Sequence, residues 1–436
     1  MSERLGVIGA GAAGLAAAWR LAQAGRRVVL YEAASKPGGM LATTTHGAVR
    51  ADTAVQLLSS TYQATHRLIA EAGLGDLLAR VPGRDAAWRR GRAHPITYGA
   101  VASMLASGAL PTMLKLRLGG KYVPFLGTRA SGVDANDLAG TAGAHDRESI
   151  AAWGGRELGE DFIEYLVYPL LAAYYGTPPE RASAGLYHAL ARVGMDVQLY
   201  AVRGGAARLA DGLVAALQRK QVEVRTGTAV RALECSAAGS RVVTAGGEES
   251  LGGVVLATSP QQARVLLGEQ SAAGEWLGAV PTAPALTLTF WLRRRVPVEW
   301  FGISFPRVEP PGDVVVAACV QSRKPEMVEG AGDAVVVYPA PAWLAARPDA
   351  TDAELRDGIL PALERAFPGI GAVVEDVTAH RHSGGYRVFE PGHVQRIAAA
   401  VGLLPARCAL AGDYLVSPTV EGAVRSGARA AARLLA

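Results

Sequence analysis

Lysine is scarce in this chain. Lys36, Lys115, Lys121, Lys220 and Lys324 stand far apart, so arginine carries the positive charge. A formal net charge of +5 over 436 residues is small and spread out, so a nucleic-acid partner is not expected. Cysteine is equally sparse. Cys235, Cys319 and Cys408 have no C-x-x-C spacing and form no disulfide framework, which fits a reduced compartment. A first strand beginning at about Arg4 leaves no room for a leader peptide, and a cytoplasmic location is the expectation. Uninterrupted apolar runs long enough to span a membrane are also missing. The uncharged stretch from Pro95 to Leu114 approaches the length of a membrane span, but Pro95, Gly99, Gly108 and Pro111 interrupt it. It reads as a buried segment of a substrate domain, with peripheral membrane contact as the alternative.

Glycine and small apolar residues are what the chain has in abundance, and its length suffices for two domains with substantial cores. They are densest at the start. Leu5-Gly-Val-Ile-Gly9-Ala10-Gly11-Ala12-Ala13-Gly14 leads into an alanine-rich helix, then Val28-Val-Leu-Tyr-Glu32. This reads as buried strand, tight turn, helix, and a second strand ending on an acid. Gly9 takes the turn, Gly11 admits a pyrophosphate to the backbone, and Gly14 allows close packing of helix on strand. The phosphates then meet the positive end of the helix, and Glu32 is placed to accept hydrogen bonds from a ribose. A dinucleotide site is expected here.

A second glycine pair follows in Lys36-Pro-Gly38-Gly39-Met40. Here the sequence resembles the FAD-dependent oxidoreductases that include amine oxidases, protoporphyrinogen oxidases and carotenoid desaturases. The resemblance implies an α/β fold: a discontinuous Rossmann-like FAD-binding domain, and a substrate domain made of a mixed sheet and a helical insertion. That family usually has arginine after the glycine pair. Met40 removes one expected phosphate contact.

Along the chain, helices are expected from Thr61 to Arg80, and Arg84-Asp-Ala-Ala-Trp-Arg-Arg-Gly-Arg92 forms a basic cluster. The cluster is a solvated face or a carboxylate-recognising entrance. Asp146 to Tyr200 is helical and aromatic, including Tyr168 and Tyr174-Tyr175, and its order of elements resembles the substrate domain of protoporphyrinogen oxidases. A helix over Ala207–Lys220 precedes alternating strand from Val222 to Val230, and the resemblance places the Val230 backbone at the adenine. Strands from Ala283 to about Ala372 include a helix with a capping box, Thr351-Asp-Ala-Glu354. The division expected is 1–60, 203–265 and 375–436 for the FAD domain, 61–202 for a helical substrate or membrane-contact subdomain, and 266–374 for the substrate sheet.

Near the C-terminus, Ala411-Gly412-Asp413-Tyr414 follows an apolar strand and Ser417-Pro-Thr419-Val420-Glu421-Gly-Ala423-Val opens the last helix. By resemblance, Gly412 and Asp413 meet the ribityl and phosphate part of FAD, and Val420 and Ala423 bring helix amides to the flavin's pyrimidine oxygen. Monoamine oxidases carry Gly-Cys-Tyr where this chain has Gly384-Gly385-Tyr386, so the FAD is expected to be non-covalent. Tyr386 matches one tyrosine of their cage, Thr419 replaces the other, and their flavin-side lysine has no counterpart between Lys220 and Lys324. The segment ending in Gly392-His393 resembles one in protoporphyrinogen oxidases, and His393 is expected to be structural.

The reading that results is hydride removal from a bulky apolar substrate of porphyrinogen type, with O2 or another acceptor taking the electrons. Tyr386, Thr419 and Tyr414 are the substrate-site candidates. An amine oxidase or carotenoid-type desaturase is the alternative enzyme, and a non-catalytic flavin or isoprenoid binder the alternative of another class. No metal is expected, and the oligomeric state is left open.

Overall fold

A computed structural model describes residues 4–195 and 197–436, the side chain of Val401 excepted. Strand β1 (Leu5–Ile8), helix α1 (Ala12–Gln23) and strand β2 (Val28–Tyr31) form the expected opening. Every residue of both strands is buried, as a central parallel sheet demands. The sheet runs in the order Glu223–Arg225, β2, β1, Gly253–Leu256, Cys408–Leu410, all parallel. It therefore gathers strands from three distant parts of the chain.

Two helices cover this sheet so closely that glycine is required. A Cβ on Gly14 would lie 1.8 Å from the Gly9 carbonyl oxygen, and one on Gly427, in the last helix Val420–Leu435, would lie 2.1 Å from that of Ala13. Alanines 16, 17 and 18 fill the space that remains, buried against the sheet.

The second sheet is mixed. Its order is Val374–Arg387, Thr282–Leu292, Asp333–Pro339, Val315–Val320, Gly302–Ser304, Arg84–Arg89, Arg92–Thr97, with only the Gly302 and Arg84 strands parallel. Helix Asp352–Ala366 packs on it and has the predicted Thr351–Glu354 capping box. The helical layer between residues 101 and 193 has its own core around Tyr122, Phe162, Leu171 and Tyr187.

Several expectations need correction. Arg84–Thr97 and Val374–Arg387 belong to the mixed sheet, not to the 61–202 and 375–436 units, because long-range pairing with Gly302–Ser304 and Thr282–Leu292 captures them. The helix after Thr61 ends at Glu71, and Leu78–Val81 is a strand beside Leu199–Val202. Strand pairing after Val222 stops at Arg225, where Gly227 turns the chain with φ +65°. The uncharged run of Pro95–Leu114 divides into a strand end, helix Val101–Ala106 and the start of Thr112–Arg117. Among the described residues, no helix is long and apolar enough to cross a membrane.

Candidate functional site

A cavity of about 770 Å³ lies where the two sheets and the helical layer meet. Its floor is the glycine loop. Gly9 has φ +101°, and a Cβ there would lie 2.5 Å from the Ala257 carbonyl oxygen. Helix α1 starts at Gly11 with no side chain capping its first amides, so these donors remain open for an anion. Glu32, just past β2, accepts the Ala10 and Ala34 N–H groups, one on each carboxylate oxygen, at 2.8 Å. The Gly38 N–H donates to the Ala10 carbonyl at 2.9 Å, laying the second glycine pair against the first loop.

The opposite wall comes from the far end of the chain. Thr419 caps helix Val420–Leu435 by accepting the Gly422 N–H at 2.9 Å, and Val420 and Ala423 line the cavity. Gly412 and Asp413 lie nearby, and burial pushes the Asp413 carboxyl up. Arg387 stands 3.3 Å from it, almost wholly buried, and neither its Nε nor its Nη1 has a hydrogen-bond partner. Asp413 is its charge partner, and the remaining guanidinium donors on the cavity wall are suited to a ligand anion.

Residues 12–435 match the model for flavin-containing amine oxidoreductases. The chain belongs to that family. Solved structures agree on the fold. A protein from Exiguobacterium sp. 255-15, described as a candidate protoporphyrinogen oxidase, superposes with a TM-score of 0.75 at 20% identity over 99% of this chain and 98% of its own. Putrescine oxidase with bound putrescine reaches 0.77 at 18% over 100% and 99%. Cyclohexylamine oxidase from Brevibacterium oxydans IH-35A reaches 0.74 at 19% over 100% and 99%.

The protein is thus a flavin-dependent oxidoreductase with FAD as its cofactor. The residues present fit that cofactor: uncapped helix amides, the acid Glu32 at the end of β2, and the Arg387 guanidinium beside Asp413. Gly9, Gly11, Ala12, Ala13, Glu32, Gly38, Gly39, Met40, Val230, Gly412, Asp413, Val420 and Ala423 all line the cavity. Ala10 and Gly14 lie beneath it, acting through backbone and packing.

The structure separates the three substrate-site candidates. Tyr386 lines the cavity, and its ring lies against Gly176, where a Cβ would approach to 2.6 Å. Thr419 lines it too, close to the Tyr62 side chain. Tyr414 does not. Its ring is packed under Gly412, whose Cβ would lie 2.1 Å from it, while its carbonyl accepts from His393 Nε2 at 3.0 Å. The short turn Asp413–Leu415 points this side chain into the core. His393 is accordingly a buried structural residue.

Among the wall residues that sequence reasoning missed are Tyr62, Tyr98, Arg387 and Asp85. The left-handed turn at Gly176 ends the helix of Tyr174 and Tyr175 at the cavity, and both line it. The basic cluster proves to be a hairpin whose Arg84, Arg90 and Arg92 face solvent. Strand alternation turns Asp85 the other way, a signal present in the sequence. Lys324 is buried, with Nζ held by Asp52 at 2.6 Å and Gln56 at 3.0 Å, so it ties the turn after strand Val315–Val320 to the segment 52–56.

Proposed function

We propose that the protein removes a hydride from a bulky, largely apolar substrate, with a porphyrinogen-type molecule as first candidate and O2 or another acceptor receiving the electrons. The supporting observation is a side chamber of about 200 Å³ opening from the large cavity, with Asp85, Tyr98, Leu170, Tyr174 and Leu190 on the walls of both. Its lining is mostly Leu, Ala, Met and Tyr from the helical layer, suited to an extended apolar group. Bound FAD supplies the two-electron acceptor. The chain's own residues orient and dry the reacting region. Tyr62, Tyr175 and Tyr386 present ring surface there, and burial raises each phenol's pKa so that all stay protonated.

The FAD in this reading is non-covalent. Gly385 has φ +64°, and a Cβ there would meet the Ala283 carbonyl oxygen at 2.5 Å, which leaves no room for an attaching cysteine. Flavin released completely by acid precipitation supports this; flavin retained in the pellet refutes it. Oxidation of an amine is the second reading. It is favoured by Tyr62, which places a ring beside Thr419 where the aromatic cage had looked half absent.

Anaerobic spectral titration with coproporphyrinogen, protoporphyrinogen, a panel of amines and a carotenoid precursor separates the readings. Bleaching by a porphyrinogen, with fluorescent porphyrin formed on re-aeration, supports the first. Bleaching by amines alone transfers the enzyme to the second. Peripheral lipid contact belongs to the same proposal: Met113, Leu116 and Val123 are exposed on one face of the helical stretch 112–128, beside Lys115, Arg117 and Lys121. Co-sedimentation with anionic vesicles, lost on Leu116→Asp, is the expected result.

A further inference from the structure

Asp85 is the one charged residue on the wall of the side chamber among the described residues. It stands where that chamber joins the large cavity. Its Oδ1 accepts the Gly302 N–H at 2.8 Å across the parallel strand pair. Its Oδ2 has no hydrogen bond or ion pair from any described residue. Among the described residues no lysine or arginine lines the chamber, so its wall supplies no counter-charge to this carboxyl. Burial pushes it up to about 7. Asp85 is half-buried, and a carboxylate so far withdrawn from water is normally paired or replaced by an apolar residue. The chamber wall around it is otherwise mostly apolar, with Ala87, Ile96, Leu105 and Leu118 lining the same space.

We propose that Asp85 anchors the substrate: its free oxygen accepts a substrate N–H, from an ammonium or a pyrrole-type nitrogen, while an apolar portion occupies the side chamber. The position follows from how the two oxygens are used. Gly302 fixes one and thereby aims the other at the junction. A donor taken there holds one part of the substrate at the junction and leaves the rest free to extend either into the chamber or along the large cavity. Tyr98 and Tyr174 flank the junction and add ring faces to which a cation is attracted. The chemistry selected is an N–H donor on an otherwise apolar skeleton, which narrows the bulky-substrate reading above and rests on it.

Two matched ligand pairs test this on the FAD-loaded protein. Dodecylamine and dodecanol share a chain and differ in an ammonium; carbazole and dibenzofuran share a flat ring system and differ in a pyrrole-type N–H. The wild type is expected to prefer the N–H member of at least one pair by roughly tenfold or more, read from protein fluorescence. Asp85→Asn is the informative variant, because the Gly302 N–H retains the amide oxygen and the amide NH2 must face the junction. A donor then meets a donor, and the preference should fall to within about threefold with FAD content unchanged. The pair that discriminates identifies the nitrogen.

Equal affinity within both pairs in the wild type overturns the proposal, and so does a preference that survives in Asp85→Asn. The wild-type comparison stands without the variant. Perturbation of the flavin spectrum on binding reports separately on the cavity reading. Ligands that discriminate through Asp85 yet leave the flavin spectrum untouched would break the larger reading and keep the anchor.

Discussion

Replacing Glu32 is the most direct test of the cofactor site. Its two oxygens each accept a backbone N–H, from Ala10 and Ala34, and their remaining lone pairs are what a ribose diol can use. Glu32→Ala removes a charged acceptor worth about 1.5 to 3 kcal/mol. At about 1.4 kcal/mol per tenfold, the FAD dissociation constant should rise by about 10-fold to about 150-fold. Glu32→Gln should be nearly as harmful, since its amide NH2 must face one of the two N–H groups. The assay is titration of deflavinated protein, following the quenching of flavin fluorescence. FMN is the control, because it lacks the adenosine ribose. An FAD constant within about threefold of wild type in Glu32→Ala would refute the assignment. Equal weakening of FAD and FMN would show that Glu32 acts only by shaping the loop between Ala10 and Ala34.

Three further outcomes are expected. Arg387→Met should weaken FAD by about tenfold and reduce the salt dependence of binding, because the phosphate part loses a buried cation; an unchanged constant places Arg387 outside the cofactor's reach. Glu421→Ala should cost about 3 kcal/mol or more in chemical denaturation, since its buried carboxylate holds the Ala64 and Thr65 N–H groups and Arg425; a loss under about 1 kcal/mol would contradict that. For Asp85, burial raises the folded pKa from 3.8 to about 7, so its stabilising effect is full below the lower value and is lost as pH rises to the upper one. Asp85→Asn does not ionise, so its melting temperature relative to wild type should climb between pH 4 and pH 7 and then level off. A difference independent of pH would mean that the carboxyl is not buried in solution.

The opening β1–α1–β2 unit was legible because every signal in it is local. Hydrophobic runs, glycine spacing and a terminal acid lie within about thirty residues, and the physics that selects them acts over the same span. The capping box at Thr351 was legible for the same reason. Asp85 was easy to pass over inside an arginine-rich run: alternation sets it opposite Arg84, and its pairing with Gly302 then fixes that face at the chamber. Arg387 was hidden because its partner Asp413 is remote in sequence and joined to it only by the fold. Tyr414 shows the opposite failure. Its neighbours Gly412 and Asp413 are on the wall, but a single tight turn rotates the next side chain into the core. The domain limits near 84–97 and 374–387 slipped because strands were assigned by neighbourhood in the chain, whereas a sheet recruits by register.

The contact between Gly427 and the Ala13 carbonyl links the first and last helices of the chain. During synthesis the glycine loop emerges well before the strand Cys408–Leu410 and the helix after Thr419. Until they arrive, α1 has an uncovered alanine face and the parallel sheet has an unpaired edge along Gly253–Leu256. Stable flavin capture should therefore be a late event, and nascent chains stalled before Cys408 should be recovered colourless and sensitive to protease.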